Sequence, residues 1–109
     1  MATFIITGNY TVQAIQGMIA NPSDRAAAVA PLVEAVGGKL LSYYATTGET
    51  DFLMICEAAD GEDIIPALMV AGASGTVSNL KTVRAYSSAD LMASQKKAAG
   101  IAAKFKPAG

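Results

Sequence analysis

The sequence contains no histidine and no tryptophan, and it has a single cysteine among its 109 residues. Without histidine the chain cannot build a Ser-His-Asp triad, a histidine-ligated haem or a histidine-ligated zinc site, and it lacks the commonest general base. The lone Cys56 cannot form an internal disulfide, and a structural zinc site needs more ligands than one thiol. We therefore expect no metal and no cofactor, a cytoplasmic protein, and a Cys56 that is a core thiol rather than a nucleophile.

Charged residues are also scarce, at 16% of the chain against 52% hydrophobic residues. Soluble domains usually carry about 25% charged residues. An apolar fraction larger than one small core needs suggests burial against other subunits, so we expect a homo-oligomer, most simply a dimer. No run approaches the ~20 apolar residues of a membrane span, and the N-terminus lacks the positive charge of a signal peptide, so no membrane partner is expected.

Positive charge is concentrated at the C-terminus. Lys96, Lys97, Lys104 and Lys106 lie in the last fourteen positions, whereas all nine acidic residues lie in the first 95, which carry a net charge of −5. Contacts from lysine and arginine to phosphates supply most nucleic-acid affinity, so this acidic body predicts no nucleic-acid partner. We interpret the lysine-rich tail as a solvated helix face, with docking on the acidic body of a neighbouring subunit as the alternative.

Four runs rich in β-branched and aromatic residues predict strands, and helical apolar spacing fills the intervals between them. The predicted strands are residues 2–10, 39–47, 50–58 and 76–86. A short irregular helix is predicted after residue 10, and a longer helix is predicted to begin at Asn21-Pro22, with a kink at Pro31. Asp60 is predicted to cap the next helix, and Ser87 with Asp90 resembles a capping box that opens a terminal helix.

Within the helix capped by Asp60, the apolar spacing predicts that Ile65, Leu68 and Met69 face the core.

The order β-α-β-β-α-β followed by a tail helix is the ferredoxin-like α+β pattern. Right-handed crossovers predict a four-stranded antiparallel sheet of order 4-1-3-2 with the helices on one face. We expect residues 1–86 to form this domain and residues 87–109 to form a helical tail.

Several segments resemble the GYD-domain family of small bacterial and archaeal proteins. They are the strand "FIITGNYT", the helix end "LVEAVGGKL", the hairpin "YYATTGETDFLMICEA" and the strand "TVRAY", within residues 3–90. At the hairpin after which the family is named, this chain has Gly48, Glu49, Thr50 and Asp51, with Thr50 in the place of the family tyrosine. The resemblance implies a fold like that of dimeric α/β barrel proteins, and it brings no firmly assigned chemistry.

Side chains alternate between the two faces of a strand, which divides the residues of the sheet into two sets. We place Phe4, Ile6, Phe52, Met54 and Cys56 beneath the helices. The helix-free face is then predicted to carry Thr3, Ile5, Thr7, Ser42, Tyr44, Ile55, Glu57, Leu80, Thr82, Arg84 and Tyr86. Such a mixture of polar and apolar side chains suits a sheet-on-sheet dimer interface that encloses a small cavity.

Glu57 is the one acidic residue predicted inside a strand. Desolvation in a cavity would raise the pKa of its carboxyl group, which makes Glu57 a candidate general base. Tyr44 is the candidate donor to a substrate oxygen, and Arg84 is the candidate counter-charge. The predicted ligand-binding set is Ser42, Tyr44, Glu57, Thr82 and Arg84. The alternative is an ion pair between Glu57 and Arg84 that only satisfies buried charge, with Tyr44 as an interface aromatic.

The stretch "TTGETDF", residues 46–52, is interpreted as a hairpin turn. Gly48 and Asp51 are residue types that turns favour, because glycine adopts positive φ and aspartate hydrogen-bonds to nearby backbone. A pair of catalytic carboxylates, Glu49 and Asp51, at the rim of a pocket is the alternative.

These observations favour a homo-oligomeric small-molecule-binding or regulatory protein with a ligand cavity between facing sheets. One alternative is a cofactor-free enzyme of the monooxygenase or isomerase type that uses Glu57, Tyr44 and Arg84. The other is a trimeric signalling or assembly subunit.

Overall fold

The computed structural model describes all residues, 1–109, as one four-stranded sheet with four helices. The elements are β1 (Ala2–Tyr10), α1 (Val12–Ala20), α2 (Arg25–Ala35), β2 (Lys39–Ala45), β3 (Phe52–Ala58), α3 (Gly61–Ala73), β4 (Val77–Ala85), α4 (Ser88–Ile101) and a closing 3₁₀ turn (Ala102–Lys104). The first crossover thus contains the predicted short helix, α1, as well as the longer α2.

The sheet has the order β2-β3-β1-β4, and all neighbouring strands are antiparallel. This order is the predicted 4-1-3-2, so the ferredoxin-like α+β fold is confirmed. One face of the sheet packs against α2 and α3, which contribute Val33 and Ile64 to the core beside Phe4 and Ile6 of β1. The opposite face is covered by no part of the chain.

Alternate residues of the two central strands form the core. Phe4, Ile6, Phe52 and Cys56 are buried, and Met54 is partly buried against them, as predicted. Burying side chains of this size contributes about 1.5–3 kcal/mol each, so the two central strands and the helices above them hold most of the stability.

Helix α3 presents a face that is shifted from the predicted one. Leu68 packs against the core as predicted, but Ile65 and Met69 are 50% and 68% exposed, whereas Ile64 and Ala67 are buried. The apolar spacing admits both registers, because Ile64 and Ile65 are adjacent. The observed register places Ile64 in the core cluster with Phe4 and Ile6. Gly61, at the start of the helix, lies beside the Phe4 ring at a distance that would also admit a β-carbon.

Helix α2 begins at Arg25 and not at Asn21-Pro22. The Asp24 carboxylate accepts hydrogen bonds from the backbone N–H groups of Ala26 and Ala27, at 3.0 and 3.4 Å, and so caps the helix. Asn21 instead ends α1. Pro31 lies on the exposed side of α2, and the helix continues through it to Ala35 as one unbroken element.

The C-terminal segment stands away from the body. Ser87 and Asp90 form the predicted capping box of α4, and every residue from Tyr86 to Gly109 is exposed. The molecule measures 60 × 34 × 21 Å, and its radius of gyration is 17.9 Å. A compact chain of this length would have a radius of about 13 Å. No helix in the structure has both the length and the apolar character needed to cross a membrane.

Candidate functional site

The uncovered face of the sheet carries three cross-strand rows of side chains. Residues directly opposite each other in an antiparallel pair share a face, so the strand register gives the rows. They run Lys39, Glu57, Thr3, Ala85; then Ser42, Ile55, Ile5, Val83; then Tyr44, Leu53, Thr7, Lys81. The first row is mostly polar, the middle row is largely apolar, and the third combines an aromatic ring with a lysine.

Most of the residues predicted for this face lie on it, including the ligand-binding candidates Ser42, Tyr44 and Glu57. Thr82 and Arg84 do not, because Thr82 lies opposite Ile6 and Arg84 lies opposite Phe4. Both partners are core residues on the helix side, and Leu80 also packs against that core. The predicted placement of these β4 residues was therefore wrong, as it was for Tyr86, whose ring lies with Arg84.

The error has a physical reason in β4 itself. Alternation sorts a strand into two sets, but it does not say which set faces the helices. Both sets of β4 mix polar and apolar residues, and β4 is an edge strand whose Thr82 and Arg84 remain exposed even on the helix side. A bulge also interrupts the pairing between Thr7 and Asn9, where Asn79 takes a positive φ of 53°.

Arg84 does not meet Glu57. Its guanidinium lies 4.3 Å from the centroid of the Tyr86 ring and 5.8 Å from that of Phe4, and it donates a hydrogen bond to the Thr3 carbonyl at 3.4 Å. Tyr44 is also distant from Glu57, because its partner Leu53 lies four residues, about 13 Å, along β3. The three catalytic candidates therefore do not converge on one reacting position.

The turn at residues 46–51 is held by Asp51. Its carboxylate accepts hydrogen bonds from the Tyr10 N–H at 2.9 Å and from the Asn9 side-chain amide at 3.2 Å, and its own N–H donates to the Gly8 carbonyl at 2.8 Å. The Thr46 hydroxyl donates to the Thr50 carbonyl at 2.6 Å. The turn interpretation is confirmed, but the expected positive φ at Gly48 is not found, and the turn is held by the hydrogen bonds of Asp51 and Thr46. The stretch also fixes the end of β1.

A small apolar cavity, here the inner cavity, lies between the sheet and the helices α2 and α3. Its volume is about 80 Å³, and Met54, Cys56, Val29 and Leu68 are among its lining residues. Cys56 is 1% exposed, and burial raises the pKa of its thiol. Cys56 is a core residue, as expected from its apolar surroundings in the sequence.

Two tyrosines close one end of the inner cavity. The hydroxyl groups of Tyr10 and Tyr43 are hydrogen-bonded to each other, and their rings pack on Phe52 with centroid distances of 5.3 and 5.8 Å. Gly8 is required here, because a β-carbon at this position would lie 2.7 Å from the Phe52 ring. Burial, followed by the hydrogen bond to Tyr10, raises the pKa of Tyr43, while the charge of Arg25 acts in the opposite direction.

A second, polar hollow, here the outer cleft, adjoins the first between α1 and the starts of α2 and β4. Its volume is about 480 Å³, and Gln13, Asn21 and Thr76 line it. Tyr10, Arg25 and Val77 line both hollows. The Arg25 guanidinium donates a hydrogen bond to the Ser23 hydroxyl at 3.2 Å.

Sequence reasoning missed the grouping of Tyr10, Tyr43 and Arg25. The available signal was weak: strand alternation separates Tyr43 from Tyr44, but nothing in the sequence brings Arg25 to the end of β1. No cluster of three or more histidine, cysteine, aspartate or glutamate side chains that could hold a metal ion is present.

The sequence model of the GYD domain matches residues 4–94. The chain belongs to the GYD domain family. None of the curated protein sequences matches this GYD-domain chain significantly. In its family hairpin Thr50 contributes only a backbone carbonyl to the turn, as the acceptor for Thr46.

Solved structures resemble this GYD domain in fold. The protein TTHA0845 from Thermus thermophilus is 16% identical, with a TM-score of 0.52, and the match covers 81% of this chain and 96% of that one. The transcriptional regulator NMB0573 from Neisseria meningitidis, solved in complex with L-Met, is 18% identical, with a TM-score of 0.51 and coverage of 80% and 51%. MtbAldR is 16% identical, with a TM-score of 0.53 and coverage of 79% and 52%. This chain therefore spans about half the length of the last two proteins.

Proposed function

We propose that this GYD-domain protein is a cytoplasmic homo-oligomer, most simply a dimer, that binds a small molecule and has a regulatory role. In the proposed dimer the uncovered sheet faces of two copies pack together. The observation that carries the proposal is the middle row of that face, where Ile55, Ile5 and Val83 lie side by side without any covering element. Covering such a row removes apolar surface from water, which stabilises association.

The sheet face alone is small for a stable interface. Four strands of seven to nine residues present a surface about 19 Å by 26 Å, on the order of 500 Å². Stable interfaces bury about 800 Å² per partner. We therefore include α4 in the proposed interface, because its apolar residues Leu91, Met92 and Ile101 are more than half exposed, as is Phe105 beyond it.

The charges of the two parts of the chain support this role of α4. Residues 87–109 carry four lysines and one acidic residue, whereas residues 1–86 carry eight acidic and four basic residues. Opposite net charges favour contact between the tail of one copy and the body of the other. The proposal keeps the predicted division of the chain at residue 86.

The proposed ligand lies between the facing sheets, on the face that carries Ser42, Tyr44 and Glu57, where it would contact one end of the face in each copy. Tyr44 is 56% exposed in a single chain, so its hydroxyl is open to a ligand or to a partner copy. The fold likeness to NMB0573, a transcriptional regulator bound to L-Met, supports a regulatory ligand-binding role. At 18% identity that likeness concerns the fold alone, and it does not identify the ligand of this chain.

Native mass spectrometry of the purified protein tests the proposal. The expected result is a dimer or a larger even-numbered assembly, with additional mass that denaturation releases. Ile55→Lys places a charge in the middle of the apolar row and is expected to convert the assembly to monomer. The matched control, Val70→Lys, lies 59% exposed on α3 and is expected to leave the assembly intact.

Two outcomes would contradict the proposal. A wild-type monomer would remove the interface, and a trimer would replace the facing sheets with clefts between three subunits. An even-numbered assembly that persists in Ile55→Lys would show that another surface holds the copies together.

A further inference from the structure

The inner cavity and the outer cleft are neighbouring hollows of a single chain that share part of their linings. The inner cavity is lined by sixteen hydrophobic residues and Arg25, and the outer cleft is lined mainly by polar and small residues. Tyr10, Arg25 and Val77 belong to both linings, so the change from apolar to polar surroundings occurs at these three residues, of which Tyr10 and Arg25 carry polar groups. A molecule with an apolar group and a polar head matches this arrangement.

Arg25 is the only charged residue in either lining. A guanidinium has five N–H donors, and the side-chain partner of Arg25 within the chain is one hydroxyl, that of Ser23. Its planar fork matches a carboxylate or phosphate, and a partly buried site strengthens such a charge-assisted bond. The head group that fits is therefore an anion.

The tyrosine pair supplies a further donor. When Tyr10 and Tyr43 hydrogen-bond to each other, one hydroxyl donates and the other accepts, so one phenolic proton remains free to donate to a third group. The hydroxyl of a tyrosine is protonated at neutral pH, and burial raises the pKa of Tyr43 further, so Tyr43 is present as the neutral phenol. A carboxylate held by Arg25 would accept that proton in a hydrogen bond.

The size of the inner cavity limits the apolar group. A void of about 150 Å³ holds benzene, so the volume of about 80 Å³ found here suits a branched group of about four carbons rather than an aromatic ring. Neither lining contains a carboxylate that would pair with an ammonium group. The pocket therefore favours a simple carboxylic acid over the amino acid with the same side chain.

We propose that Arg25 and the Tyr10–Tyr43 pair bind the carboxylate of a small branched aliphatic acid, whose alkyl group fills the inner cavity beneath α2 and α3. This site lies within one subunit, on the opposite side of the sheet from the proposed dimer interface. It does not depend on the association of two copies.

Isothermal titration calorimetry with 3-methylbutanoate tests the site. Wild-type protein is expected to bind this acid more tightly than leucine, which adds an ammonium group, and more tightly than 3-methylbutan-1-ol, which lacks the charge. Arg25→Gln removes the cation and is expected to weaken binding by about tenfold or more. Arg84→Gln is the matched control, since Arg84 lies on the same side of the sheet outside both linings, and it is expected to bind like wild type.

A second variant tests the apolar half of the pocket. Ala71→Leu extends a lining residue into the inner cavity and is expected to abolish binding without touching Arg25. Circular dichroism and thermal unfolding establish that each variant is folded before titration. Unweakened binding in Arg25→Gln, equal binding of leucine, or no binding of 3-methylbutanoate by wild type would overturn the proposal.

The monomeric Ile55→Lys variant separates this site from the proposed dimer. Unchanged binding of 3-methylbutanoate by that variant is expected, because no lining residue lies on the uncovered face. Loss of binding on dissociation would overturn the claim that a single chain contains the whole site. A wild-type monomer that binds the acid would contradict the dimer and leave the pocket standing.

Discussion

The buried side chains of Tyr43 and Cys56 make the free energy of unfolding depend on pH. Burial raises the pKa of both side chains in the folded protein. In the unfolded chain the thiol titrates near about pH 8.5 and the phenol near about pH 10. Above those values the unfolded chain releases protons that the folded chain retains, so the unfolding free energy must fall as pH rises.

We therefore predict that stability from Tyr43 and Cys56 is fully present at neutral pH and is lost progressively above about pH 8.5. Each group can contribute a slope of at most about 1.4 kcal/mol per pH unit. Urea unfolding at a series of pH values up to about pH 10.5 measures this slope. Tyr43→Phe should flatten the part above about pH 10, whereas Tyr44→Phe, at an exposed tyrosine, should not. Equal slopes in wild type and Tyr43→Phe would contradict the prediction.

The turn between β2 and β3 joins two strands and also positions a third. Because Asp51 accepts hydrogen bonds from Tyr10 and Asn9, the turn fixes the end of β1 and the place of the Tyr10 ring. Glu49, two residues earlier, is exposed, and its backbone carbonyl accepts from Asn9. The side chain of Asp51 therefore holds the end of β1, whereas the side chain of Glu49 is exposed.

Asp51→Ala is predicted to destabilise the protein by about 1–3 kcal/mol, because the Tyr10 N–H loses its acceptor in a partly buried position. Glu49→Ala changes an exposed side chain without removing the carbonyl that Asn9 uses, and it should stay within about 0.5 kcal/mol of wild type. Chemical denaturation of both variants measures the difference. An equal loss in the two would show that the carboxylate of Asp51 does not anchor the strand.

Sequence patterns were sufficient to predict the strands, the helices and the strand order. Strands and caps depend on the local spacing of residues, and the strand order follows from the right-handedness of crossovers. Asp60, Ser87 and Asp90 are examples in which a cap is determined by residues within one turn. The face of β4 and the inward side of α3 were not predictable in the same way, since each has apolar residues in two registers. Their register depends on contacts between residues distant in sequence, such as the packing of Ile64 with Phe4 and the pairing of Arg84 with Phe4.

The pocket at Tyr10, Tyr43 and Arg25 illustrates the same limit. These residues come from β1, β2 and the first turn of α2, and none carries a motif that signals a site. Arg25 lines the same hollows as Tyr10, and it lies in the first turn of α2 because Asp24 caps the helix there, beyond the predicted start at Asn21. A local cap thus contributes to a grouping of residues distant in sequence, which no spacing pattern predicts.

The whole molecule consists of a sheet with its packed helices, here the body, and an exposed C-terminal helix, here the arm. The body leaves one sheet face open, and the arm exposes apolar residues that no part of its own chain covers. If the arm packs on a second copy, its removal should weaken assembly and leave the body folded. Opposite net charges in the two parts should also make the assembly weaken as salt concentration rises.

We predict that a chain ending at Tyr86 keeps the circular dichroism of the folded sheet and helices but dissociates at a concentration at least about tenfold higher than the full chain. Analytical ultracentrifugation over a dilution series measures this change. A full-length variant in which Gln replaces Lys96, Lys97, Lys104 and Lys106 removes the charge of the arm and keeps its apolar residues. The assembly of this variant should no longer depend on salt concentration, but the copies should retain part of their affinity for each other. If the shortened chain unfolds, the arm contributes to the stability of the body. If the assembly is unchanged, the arm is not part of the interface.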